Sequence, residues 1–403
     1  MSLQIKLSAT QVASLTCVLL LGFSASLGMA FNIDAIVLSF NASNTTAGLV
    51  ASLEMASIAA GNLTFAKLST RLPAKRVYLG ALITIVTLNV VAALVPSTNW
   101  LMVCRIPAGF ALGAVVATVM MTAGRSDKPE QTFGLINAMV GVMGMFMAFV
   151  LPRALGMHTM LPPLTAWSEV DGLYLVYALC SLCALPFIAG TPETQPIHVD
   201  TSGAPPPRLL VGWLGLVGLG IIFFGHATLA LFIVKIGRNT GLTAETIGYV
   251  FMAGSLAGIG LPLLSGYIGS RMKATIPIGS VLVVLMIAAI LLANAATPMQ
   301  FFVAGPLFAM LPIAIVPIFL GCLSRVDPTG SLAGAHAAFV LIGSAIAPFA
   351  GGALSDIGGF TLSGWFVVGC VLLGAGMTFP VIRRSDAIRD SRVQVGESVP
   401  GPA

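Results

Sequence analysis

Twelve apolar stretches, most of them long enough to cross a bilayer, dominate this chain. They run roughly 12–37, 48–66, 77–95, 101–123, 133–155 and 173–189, then 209–236, 246–268, 276–295, 301–323, 333–354 and 362–382. A spanning helix needs about 20 mostly apolar residues, so each stretch reads as a membrane span. Lipid offers backbone polar groups no partner, which makes the spans helices rather than open strands. Only 8 % of the 403 residues are charged, against 57 % hydrophobic. A soluble domain carries about 25 % charged residues. Soluble enzymes, nucleic-acid binders and disordered scaffolds are therefore excluded. The first stretch is too long for a signal-peptide core and reads as a retained span. The six cysteines lie in apolar stretches as small buried thiols. Cys180 and Cys183 have a metal-like spacing but no partner pair, so neither a metal nor a cofactor is expected.

The basic residues set an orientation. With the N-terminus in the cytoplasm, fifteen of the nineteen lysines and arginines fall on the cytoplasmic side. Arg153, Lys235 and Arg238 fall at the outer side, and Arg105 lies within a span. That asymmetry follows the positive-inside rule and places both termini in the cytoplasm. The net charge of +5 thus reads as a topology signal, with no nucleic-acid partner implied. The segment 190–208, polar and proline-rich, is expected as a cytoplasmic tether between a bundle at 1–189 and one at 209–382, followed by a polar, mobile tail at 383–403.

The halves repeat at an offset of 200. Thr70-Arg71 follows span two, and Ser270-Arg271 follows span eight. Arg125-Ser-Asp127 follows span four, and Arg325-Val-Asp327 follows span ten. The expected fold is all-α and integral to the membrane: twelve helices in two six-helix bundles related by an internal repeat. Gly109 and Gly113, like Gly254 and Gly258, are four apart and suit close helix packing. Pro306, Pro312 and Pro317 are expected to kink span ten.

A duplicated chain of this kind resembles the major facilitator superfamily. The family signature after span two is G-x-x-x-D-R-x-G-R-K. Arg71, Lys75 and Arg76 match it, whereas Ala66, Thr70, Pro73 and Ala74 replace its Gly, Asp, Gly and Arg. The second copy keeps Gly266 and Arg271, followed by Lys273, with Ser270 for the aspartate. The resemblance makes these basic residues gating loops. Arg105 to Gly109 and Gly113 resembles the family's R-x-x-x-G pattern in span four. The implied fold is a pair of bundles around a cavity that opens alternately to each side.

Ionisable residues inside spans are costly and line cavities or pair with one another. Asp34, Glu54 and Arg105 lie at similar depth in the first half and are expected to form a carboxylate–guanidinium cluster. Proton coupling is one reading of it; a static buried ion pair is the other. His226 stands in Phe223-Phe224-Gly225-His226, where a Gly-His pair resembles span seven of the sugar- and drug-efflux branch. It is expected to bind substrate, carry a proton, or hydrogen-bond within the bundle. Lys235 is expected to snorkel.

The expected function is secondary active transport of a small organic solute, driven by protons, by a monomer in the lipid bilayer of a bacterial inner membrane. No P-loop suggests ATP-driven pumping. An integral-membrane enzyme would need a concentrated set of catalytic groups, and a receptor need not show a six-plus-six repeat. Direction stays open, because span five lacks the antiporter signature G-P-x-x-G-G while the Gly-His pair favours efflux. Cargo charge stays open too: Arg105 admits an organic anion, and the acids a lipophilic cation.

Overall fold

The computed structural model describes residues 6–68, 72–124, 126, 129–157, 167–193, 210–327 and 331–397. Among the described residues, ten helices are long and apolar enough to cross a membrane, and two shorter apolar helices, Ala9–Gly22 and Met29–Phe40, follow one another as span one. One of the ten is two spans in one. Ser331–Glu397 leaves helical geometry at Gly358 and Gly359, the latter with φ of 67°. A left-handed φ is cheap only for glycine, so this pair is the corner between spans eleven and twelve. Twelve spans result, as the apolar pattern requires.

Span one is not the single helix expected. It runs as Ala9–Gly22, Ser24–Leu27 and Met29–Phe40, with Phe23 and Gly28 outside helical geometry. Polar side chains hold the break. Asn32 donates to the Ala25 carbonyl at 3.1 Å, and Tyr177 of span six donates to Asn32 Oδ1 at 2.7 Å. A Cβ at Gly28 would lie 2.1 Å from the Tyr177 hydroxyl. Span seven is also interrupted, as Leu210–Ala230 and Ile233–Asn239.

The repeat is visible in the helix boundaries. Span two is Asn44–Leu68 and span eight Ala244–Arg271; span four is Thr98–Gly124 and span ten Pro298–Val326. The corners before spans two and eight hold Asn41 and Gly241, both at positive φ and 200 apart. Spans three, five, six and nine are Ala74–Ala92, Pro129–Leu155, Glu169–Ala184 with a 3-10 extension to Gly190, and Thr275–Ala293.

Gly109 and Gly113 behave as expected. A Cβ at either would meet a span-two carbonyl, that of Glu54 at 2.6 Å or Ile58 at 2.2 Å. Gly254 does not: its Cβ would meet only Met310 Sδ, at 3.9 Å. Span ten continues as helix through its three prolines. The tail differs as well. The helix of span twelve runs on to Glu397, because Asp386 and Asp390 find partners beside span nine.

Candidate functional site

Close packing of spans two and four brings Glu54 and Arg105 together. Arg105 Nε donates to Glu54 Oε2 at 3.0 Å, and Nη2 donates to the other carboxylate oxygen. Its Nη1 donates to Asn89 Oδ1 of span three at 2.6 Å. The Tyr174 ring lies 4.9 Å from the guanidinium carbon. Glu54 is 1 % exposed and Arg105 2 %. A bidentate fork satisfies both charges where water cannot. The pair closes on itself inside the first half.

Asp34 is not part of that cluster. It is 2 % exposed, and its Oδ2 lies 2.7 Å from Nε of Arg238, on span seven in the other half. The two atoms are not aligned for a hydrogen bond, so the contact is ionic. Arg238 Nη2 also donates to Glu169 of span six at 3.1 Å. One guanidinium thus bridges two carboxylates across the bundle interface.

More links lie at this same end, where span six starts at Glu169 and opposite its other end at Gly190. Lys235 does not snorkel; it donates to Asn44 Oδ1 of span two. Asp356, ending span eleven, accepts from the backbone of Asn44 at 3.2 Å and Thr45 at 2.7 Å, and from the Thr45 hydroxyl at 2.6 Å. It caps the start of a helix in the other half, where a carboxylate is favoured. Arg153 of span five donates to the Tyr249 hydroxyl of span eight at 2.9 Å. Together these contacts latch the two halves at the far end.

His226 answers a defect that proline creates. Pro312 has no N–H, so the carbonyl of Phe308, four residues earlier, loses its helical partner. His226 Nε2 lies 3.1 Å from that carbonyl and must be the donor. The imidazole also lies against the Phe308 ring, with centroids 4.6 Å apart. The histidine therefore ties span seven to span ten.

Beneath the latch lies a cavity of about 760 Å³. Spans one, five, seven, eight and ten contribute to it, with Leu27, Gly141, Phe223, Phe251, Phe301 and Met310 on the wall. None of Asp34, Glu54, Arg105 and His226 lines it. Among the described residues, no group of three histidines, cysteines or acids is placed to hold a metal ion.

The family model described as Major Facilitator Superfamily matches residues 13–337. The chain belongs to this superfamily. No curated protein matches it in sequence. Solved structures of the same fold include a bacterial homologue of the human lysosomal transporter Spinster, inward-facing and unoccupied, with TM-score 0.65 and 13 % identity over 97 % of this chain and 98 % of that one. Another is the nucleoside transporter NupG, with TM-score 0.66 and 12 % identity over 93 % and 98 %. Tetrameric PepTSo2 matches with TM-score 0.66 and 12 % identity over 96 % and 99 %.

Set against the superfamily's gating loops, the basic residues at the tether end contact their own halves. Lys75 lies 3.6 Å from Glu193, just past span six, and donates to the Ala189 carbonyl in its 3-10 extension at 3.4 Å. Lys273 lies 2.7 Å from Asp390, on the extension of span twelve. Each ties the region where span three or span nine starts to the last span of its own half. Arg76 is exposed, and Arg271 lies over the Tyr267 ring at 4.3 Å. Thr70 and Arg71 lie outside the described residues, as do Arg125 and Asp127. Sequence reasoning missed Arg238, Lys235, Glu169, Asp356 and Asn89 as partners. The signal present for Arg238 and Lys235 was two cations at the end of an apolar span, where the positive-inside rule disfavours them.

Proposed function

We propose that this superfamily member is a secondary active transporter that moves a small organic solute by alternating access, coupled to protons. The observation that carries the reading is the far-end latch, built from groups in both halves above a cavity between them. With the N-terminus in the cytoplasm, the latch is an outer gate, closed in this conformation. The inward-facing Spinster homologue of the same fold supports this assignment, and the named transport of a nucleoside by NupG supports a small organic cargo.

Asp34 is the proton-coupling residue in this account. Ionised, it holds Arg238 and keeps the outer end shut. Protonated, it loses the ionic attraction, and the halves part. Opening to the outside is thereby linked to binding a proton. Glu54 and Arg105 brace the first bundle, and His226 holds span ten at its proline. The cavity lies within one chain, which suits a monomer in a bacterial inner membrane.

The test is solute flux in proteoliposomes under an imposed pH gradient. Accumulation that follows the gradient in the parent and disappears in Asp34→Asn, while exchange between equal pools survives, is the expected result. Accumulation in Asp34→Asn equal to the parent's overturns the coupling.

A further inference from the structure

We infer that the cavity binds an uncharged, lipophilic molecule, a cargo class that rests on the transporter reading above. Its wall is the reason. Leu27, Phe223, Phe251, Phe301, Met310 and Ile313 line it, and among the described lining residues Ser255 brings the one polar side chain. Among the described residues, no lysine, arginine, aspartate, glutamate or histidine lines it. A charged cargo would leave water and find no counter-charge, which is unfavourable by far more than the polar groups of a neutral one. The nearby charges are committed elsewhere: Arg105 to Glu54 and Asn89, Arg238 to Asp34 and Glu169.

The internal repeat shows how the hollow arises. Offset by 200, Glu54 corresponds to Gly254 and Arg105 to Gly305. Both glycines line the cavity. In the first half these two helix positions are filled by side chains that close on each other. In the second half they carry no side chain, and the space stands open. The nearest atom to a Cβ at Gly254 would be Met310 Sδ at 3.9 Å, and at Gly305 the Phe301 ring at 3.4 Å. Larger side chains would therefore enter the cavity rather than strike backbone. The volume of about 760 Å³ suits a drug-sized molecule. Ser255 supplies one hydroxyl to orient a single polar group on it.

Two fluorescent probes that differ by one sulfonate make the test: uncharged N-phenyl-1-naphthylamine and its anionic relative 1-anilinonaphthalene-8-sulfonate. Both are titrated into the full chain in nanodiscs, with empty nanodiscs subtracted and no gradient imposed. Saturable binding of the neutral probe, at least ten-fold tighter than the sulfonate, is expected. Gly254→Leu and Gly305→Leu should each weaken it at least ten-fold with the melting temperature kept. Ser255→Asp, which puts a carboxylate into the wall, should weaken the neutral probe and admit tetraphenylphosphonium. Equal binding of the two probes overturns the inference. So does neutral-probe binding that ignores both leucines, or no saturable signal above empty nanodiscs. Probe binding as expected without solute flux in any gradient leaves the site standing and removes the transport reading. Flux of a charged solute without neutral-probe binding does the reverse.

Discussion

Asp34 and Arg238 meet at 2.7 Å across the interface of the two bundles, so a carboxylate of the first half is neutralised by a guanidinium of the second. Asp34 is 2 % exposed, and the side chain of Arg238 is 28 % exposed. Removing one partner of a buried pair costs about 3–5 kcal/mol. Asp34→Asn leaves a guanidinium that is partly hydrated and still paired with Glu169, so its cost falls toward the lower end, about 3 kcal/mol, whereas loss of Arg238 strands a buried carboxylate. Arg238→Ala should therefore lower the melting temperature more than Asp34→Asn, which keeps shape and removes the charge. Equal thermal shifts for the two variants would argue against an ionic latch.

Glu54 and Arg105 should behave as one unit. Glu54→Gln leaves a buried guanidinium without its anion, and Arg105→Ala the reverse; each is expected to cost about 3–5 kcal/mol. The pair Glu54→Gln with Arg105→Gln should recover much of that loss and retain gradient-driven accumulation. Thermal denaturation of all three variants checks the coupling energy. Loss of accumulation in a stable double variant would return the proton to Glu54.

The His226 bond to the Phe308 carbonyl defines a double-mutant cycle. His226→Leu orphans a buried carbonyl at a cost of about 1–3 kcal/mol. Pro312→Ala restores the N–H that the carbonyl lacks. In the Pro312→Ala background, His226→Leu should be nearly silent. Melting temperatures of the four proteins decide it; additive effects would separate the histidine from the proline.

At the tether end, Asp386 caps span nine from the extension of span twelve. It accepts from the Ala274 amide at 2.8 Å, the Thr275 amide at 3.1 Å and the Thr275 hydroxyl at 2.7 Å. Asp386→Ala should cost about 1 kcal/mol, the usual worth of a helix cap. It should also speed hydrogen exchange at Ala274 and Thr275. Beside it, the bond to Asp390 raises the pKa of Lys273 above its ordinary 10.5. A raised lysine contributes below its ordinary value and loses that contribution as pH rises through the raised one. Exchange protection of 385–391 should thus hold at neutral pH and weaken only in the alkaline range. Weakening between pH 6 and 8 would contradict the clasp.

What the sequence revealed follows from which forces are local. Lipid demands apolar length, so the span pattern was legible at once. The 200-residue offset was legible in the loops because charge there is conspicuous, and it reappears in the corners Asn41 and Gly241. Glu54 and Arg105 were rightly placed at one depth. Asp34 was not separable from them, because depth along a helix does not say which bundle face a side chain takes. Arg238 looked like a loop cation until the fold put it against Asp34. The breaks at Phe23 and Gly28 were invisible because apolar sequence runs through them, and Tyr177, which packs against Gly28 and bonds Asn32, lies on another span. The polar residues after Arg384 looked like a loose tail; contacts with the turn before span nine make them helix.

The most direct test of the account is the far-end distance itself. Spin labels at Asn99 and Met299, exposed at the starts of spans four and ten, report the separation of the two halves by double electron–electron resonance. In nanodiscs at pH 8 the parent should show one short distance, the latched state. Lowering the pH should shift population to a longer distance, and Asp34→Asn should show that longer distance at pH 8 already. An unchanged single short distance in Asp34→Asn, at every pH, would contradict proton-linked opening of this end.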